Sequence, residues 1–137
     1  MAARNPAHHR YLRRMAMAAV LYVATILVAV KMLHHNTAVA PLTVALALLP
    51  GLAVLLMLYA IARLLIELED EFLRMLEVRK ALIATAVALA VASVWGLLEM
   101  LTDVPRLDVF WIFPIWCAGL VVGAVVNRIT HGTAGLM

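Results

Sequence analysis

The chain has 137 residues, 66% of them hydrophobic, with a formal net charge of +3 and a mean hydropathy of +1.03. A domain of this size has too little interior to hide so much apolar surface from water, which excludes a soluble fold. The isoelectric point near 9.5 comes from basic residues flanking apolar runs, so membrane topology and anionic headgroups account for it without direct nucleic-acid binding.

Four apolar runs, roughly Met15 to Val30, Leu42 to Ile66, Ala81 to Leu98 and Phe110 to Val126, each approach the ~20 residues that cross ~30 Å of hydrocarbon. They are continuous rather than alternating, which selects helices over a β-barrel. The expected fold is an all-α integral membrane protein, one domain over 1–137, with transmembrane helices at 15–33, 41–66, 81–99 and 109–127.

Residues 1–14 carry Arg4, His8, His9, Arg10, Tyr11, Arg13 and Arg14 and read as a basic, frayed arm on the inner headgroups. Two adjacent histidines without further ligands do not make a metal site, and no metal or cofactor is expected. Ala38-Val39-Ala40 looks like a signal-peptide cleavage site. The preceding apolar run is too long for an h-region, however, and Pro41 would follow the cut, so helix one is expected to be retained.

Lys31 to Asn36 end helix one, and Pro41 opens helix two, where a missing N–H is tolerated. Pro50-Gly51 falls in the middle of helix two and predicts a kink or local opening there. From Ile61 to Leu76 the pattern becomes amphipathic. Ile61, Leu65, Leu68, Phe72 and Leu76 share one side, while Arg63, Glu67, Asp70, Arg74 and Glu77 share the other, with Arg63/Glu67 and Asp70/Arg74 spaced for i,i+4 pairing. Residues 67–80 are therefore expected to form a cytoplasmic helical hairpin with a break near Glu67 to Glu71. Its polar face, including Glu71, is the candidate docking surface for a partner.

Helix three carries Ala84, Ala88, Ala92 and Gly96 at four-residue spacing, and helix four carries Gly119 and Gly123. Such small-residue ridges predict close packing of helix three on helix four or on a second copy. Trp95 and Trp111 suit an interfacial belt. With Pro114 bending helix four, Trp95, Glu99, Trp111, Pro114 and Trp116 are candidates to line an outer pocket. The single cysteine, Cys117, lies within the fourth run without a partner and reads as a small hydrophobe.

Charge sets the expected orientation. Arg4, Arg10, Arg13 and Arg14 precede helix one, Arg63, Arg74, Arg79 and Lys80 lie between helices two and three, and Arg128 follows helix four. Only Lys31 and Arg106 fall in the other connections. The positive-inside rule then puts both ends in the cytoplasm.

No Asp, Glu, Lys, Arg or His occupies the centre of a span, which argues against a proton or ion pathway. The histidines fall into an outer set, His34 and His35, and an inner set, His8, His9 and His131, too far apart for a bis-histidine haem within the chain. Nucleophile-base pairs, phosphate loops and zinc motifs are missing from the pattern, so no enzyme is expected.

The stretch Asp70-Glu71-Phe72-Leu73-Arg74-Met75-Leu76-Glu77, then Trp95-Gly96-Leu97-Leu98-Glu99 and Trp111-Ile112-Phe113-Pro114-Ile115-Trp116, resembles a group of small uncharacterised bacterial inner-membrane proteins. Those have four helices, an Asp-Glu-x-x-Arg start to the third and a Trp-x-x-Pro fourth. Leu73 and Met75 stand where that group has polar Gln and paired Arg. The resemblance covers the last half of the chain and implies a bacterial inner membrane but no activity. Some members are paired with small helix-turn-helix regulators. The functional expectation is a non-enzymatic interaction or accessory protein that self-associates or docks a cytoplasmic partner. The alternatives are a transporter or channel for a small or lipophilic solute, and an accessory subunit of a respiratory or photosynthetic complex.

Overall fold

The computed structural model describes residues 6–33 and 38–136; Arg4, His34, His35 and Asn36 lie outside them. The described residues form four α-helices, α1 (Pro6–Met32), α2 (Pro41–Glu67), α3 (Glu71–Leu101) and α4 (Ile112–His131), with a 3₁₀ turn at Val109–Trp111 and no strand. All four helices are long and apolar enough to cross a membrane, so the chain is a multi-pass membrane protein.

Helix ends follow local chemistry. Pro41 occupies the first turn of α2, and the Thr43 hydroxyl accepts the Ala40 N–H at 2.9 Å. The Asp70 carboxylate caps α3, accepting from Phe72 N and Leu73 N at 2.9 and 3.1 Å, which satisfies donors the helix cannot pair itself. Gly132, at φ 73°, ends α4 in the left-handed region that glycine enters without strain.

Three sequence expectations change here. The basic arm is helical from Pro6 onward and continuous with the first span. Its arginines four apart, Arg10 and Arg14, both engage Glu67 from one helix face. Of the kink or local opening expected at Pro50-Gly51, the opening does not form: α2 is helical without interruption through both residues. A proline within a membrane helix is accommodated by small local adjustments. Pro114 stands third in α4, inside the first turn, where its missing N–H breaks no ladder bond, so it is a helix opener rather than a mid-helix bend.

The chain divides into two compact units, Met1–Leu68 and Glu69–Met137. In the first, α1 packs on α2. Ala53, Met57, Ala60 and Leu64 of α2 are buried, and their spacing puts them on one helical stripe. Ala18 is the buried residue of α1 within its span.

In the second unit α3 packs on α4 through direct backbone approach. A Cβ added at Gly119 would lie 2.7 Å from the Ala84 Cα, and one at Gly123 would lie 2.8 Å from the Lys80 carbonyl oxygen. Ala84 and Ala88 are buried, whereas Ala92 is half-buried. Gly96 is exposed and has nothing within 4 Å of an added Cβ. Within the chain, the ridge expected from Ala84 to Gly96 therefore makes close contact only in its first part.

Gly119→Ala is expected to weaken α3–α4 packing by about 1–3 kcal/mol, since the added methyl meets backbone that cannot rotate away. Gly96→Ala is expected to be neutral or slightly stabilising, by at most about 1 kcal/mol. Thermal unfolding of the two variants in one detergent compares them.

Candidate functional site

At the polar end of the first unit, three arginines converge on one carboxylate. α2 has 27 residues, a length of about 40 Å against ~30 Å of hydrocarbon, and because its charged residues, Arg63 and Glu67, stand in its last turns, the excess length belongs to that end. Glu67 accepts from Arg10 Nε at 2.9 Å, Arg14 Nη1 at 2.8 Å, and Arg63 Nε and Nη2 at 3.1 and 2.9 Å. The i,i+4 spacing of Arg63 and Glu67 foretold one of these pairs, but the two from α1 needed the fold. The Glu67 side chain is only 11% exposed. Its carboxyl is lowered from 4.5 to about 2, chiefly by the Arg14 hydrogen bond, with Arg63 and Arg10 adding to it against the opposing effect of burial.

The second unit holds a buried polar cluster. Glu77 and Lys80 are 7% and 6% exposed and pair at 2.7 Å. Glu77 Oε1 also accepts the Leu136 N–H at 3.0 Å. That contact brings the 132–136 tail back over α3. The tail is shaped by Gly135, whose φ of 95° and closeness to the Glu77 carboxylate exclude a side chain. Asn127 is fully buried and donates through Nδ2 to the Leu76 carbonyl at 2.8 Å. Nearby, Arg79 Nη1 reaches Thr130 Oγ1 and His131 Nδ1, each at 3.0 Å.

These contacts redistribute the residues expected to form one exposed docking stripe. Glu67 and Glu77 are enclosed by intramolecular partners, and Asp70 is occupied as a helix cap rather than paired with Arg74. Glu77 is inside because α3 turns it toward the 132–136 tail, a segment lying 59 residues away in sequence. Glu71 and Arg74 remain on the surface, where they line a concavity of about 440 Å³ with Met75, Val78, Arg79 and Leu82. Asn127 and Lys80 were missed in the sequence. The signal for Asn127 was present, since Gly119, Gly123 and Asn127 follow one four-residue spacing and so lie on the packed ridge.

At the other end of this unit, Glu99 Oε1 accepts the Leu107 N–H at 2.6 Å and Trp95 Nε1 donates to the Pro105 carbonyl at 3.2 Å. Both residues fasten the 102–108 connection. Trp116 donates to Thr85 Oγ1 at 3.1 Å and stacks with Phe113, while Trp111 meets Phe110 edge to face. The ring N–H groups of Trp95 and Trp116 and the Oε1 of Glu99 are thus engaged within the unit.

Compared with protein-family models, with curated proteins and with solved structures, the chain matches none.

Removing one member of the buried pair leaves a charge in a poorly solvated place. Glu77→Ala is expected to cost about 3–5 kcal/mol, and a double Glu77→Leu/Lys80→Met variant to recover most of it. Denaturation of wild type and both variants in detergent makes the comparison. For Glu67, the carboxyl is lower when folded, so its contribution is present above 4.5 and lost as pH falls toward about 2. Spin-label distances between α1 and α2 should therefore hold from pH 7 to 4.5 and spread only below that. Glu67→Gln should spread them at neutral pH.

Proposed function

We propose that the chain is a non-enzymatic interaction protein of the bacterial inner membrane, with both ends in the cytoplasm, that docks a protein partner on the first turns of α3. The observation that carries this reading is the surface concavity of Glu71, Arg74, Met75, Val78, Arg79 and Leu82. Apolar side chains rimmed by charges of both signs are the usual anatomy of a protein interface. The neighbouring polar groups of Asp70, Glu77 and Lys80 are already consumed by caps and pairs, whereas Glu71 is exposed. The arginine and lysine distribution supports the orientation. The resemblance of Asp70 to Glu77 and Trp111 to Trp116 supports the bacterial assignment and offers a small helix-turn-helix regulator as the cytoplasmic partner.

Co-purification in mild detergent from the native host, with identification of bound proteins, pigments and solutes, tests this reading. A stoichiometric protein lost on Glu71→Lys by roughly tenfold or more at equal membrane expression is the expected result, because reversing a rim charge turns attraction into repulsion. Asp70 is left intact so that the α3 cap survives. A bound solute without a protein would favour a transporter, and a bound pigment would favour an accessory subunit. Reporter fusions after residue 70 and at the C-terminus should report cytoplasm and an insertion near Asp103 the opposite side; an external residue 70 overturns the orientation.

A further inference from the structure

The first unit contains a groove that combines an arginine with an apolar channel. Arg14, Met17, Ala18 and Leu21 of α1 and Leu56 and Tyr59 of α2 line a space of about 210 Å³. On α1, Arg14, Ala18 and Leu21 follow helical spacing, so the groove runs from the polar end of the helix into its span. Met17, Leu21 and Tyr59 are 57%, 41% and 56% exposed, which leaves the groove open along its side. The volume falls below the ~300 Å³ at which compact small-molecule pockets begin, so a groove open along its side suits a length of hydrocarbon chain better than a compact ligand. In a bilayer, an apolar groove between helices gains dispersion contacts when hydrocarbon fills it.

The polar end selects the charge of that occupant. Arg10, Arg14 and Arg63 set three positive charges around the single carboxylate of Glu67. Each guanidinium has five N–H donors, yet Arg10 and Arg14 each give only one to Glu67. His9, Arg10 and Arg13 line a further concavity with Pro6 on the same helix end. A phosphate with no cation of its own fits this excess, whereas a headgroup carrying a quaternary ammonium places a like charge among the arginines.

We propose that the α1–α2 unit binds one anionic phospholipid, with its phosphate on Arg14 and Arg10 and an acyl chain in the groove beneath. Glu67 then holds the guanidinium groups in place before the lipid arrives, so the site is organised in its absence.

The test uses the full chain, delipidated and returned to bilayer discs containing phosphatidylglycerol and phosphatidylcholine, with co-purified lipid counted by native mass spectrometry. Wild type is expected to retain phosphatidylglycerol over phosphatidylcholine by at least about fivefold, the scale of one arginine at a membrane surface. Arg14→Gln should remove about fivefold of that preference, while Arg128→Gln, which changes net charge equally, should leave it. Met17→Trp fills the groove from an exposed position without disturbing the buried helix contact, and should reduce retention with Arg14 intact. Glycerol phosphate, the headgroup without its chains, should not displace the lipid. The proposal is overturned by equal retention of the two lipids in wild type, by equal effects of Arg14→Gln and Arg128→Gln, by unchanged retention in Met17→Trp, or by displacement with glycerol phosphate.

Discussion

Helices in lipid gain little from burying apolar side chains against one another, because the surrounding hydrocarbon is equally apolar. What remains is close packing and polar contact, and the α3–α4 pair depends on the first. Gly119 and Gly123 bring α4 onto the backbone of Ala84 and Lys80, a separation no larger side chain permits. Once the helices are that near, the side chains at the end of the same ridge have nowhere to go but inside. Asn127 and Lys80 become buried in consequence, the 132–136 tail covers Glu77, and each has a specific partner.

The α1–α2 pair uses the second means. Its buried stripe is formed by alanines with Met57 and Leu64, and its end is fastened by arginines from both helices on Glu67. One carboxylate accepting from three guanidinium groups does not neutralise them. The cluster is therefore a structural clasp that retains positive charge, next to an apolar groove. In the proposed lipid site, structural and binding chemistry share the same residues, because the charge excess that follows from the clasp would give the groove's end its selectivity.

Polar groups fall into two sets by the use they are put to. Glu67, Asp70, Glu77, Glu99 and Asn127 serve the chain's own backbone or cations. Glu71 and Arg74 stay at the surface around Met75, Val78 and Leu82, next to Arg79, whose guanidinium reaches Thr130 and His131. The docking proposed above draws on this second set, which is smaller than a count of charged residues in 61–80 suggests.

Much of the fold was legible in the sequence, because a span needs ~20 apolar residues and the chain has four such runs separated by charge or proline. The Arg63/Glu67 pair was legible too, since it lies within one helix at a fixed spacing. The tertiary structure decided the rest. Asp70 and Arg74 have the same spacing, yet Asp70 turns to its own helix end, where two unpaired N–H groups stand closer than a side chain. Glu77 looks exposed on a helical wheel until the 132–136 tail folds over it, and Arg10 and Arg14 look like membrane flanks until α1 sets them against Glu67. Spacing along one helix is written locally in the chain; which distant segment faces a given side chain is settled only when the helices pack.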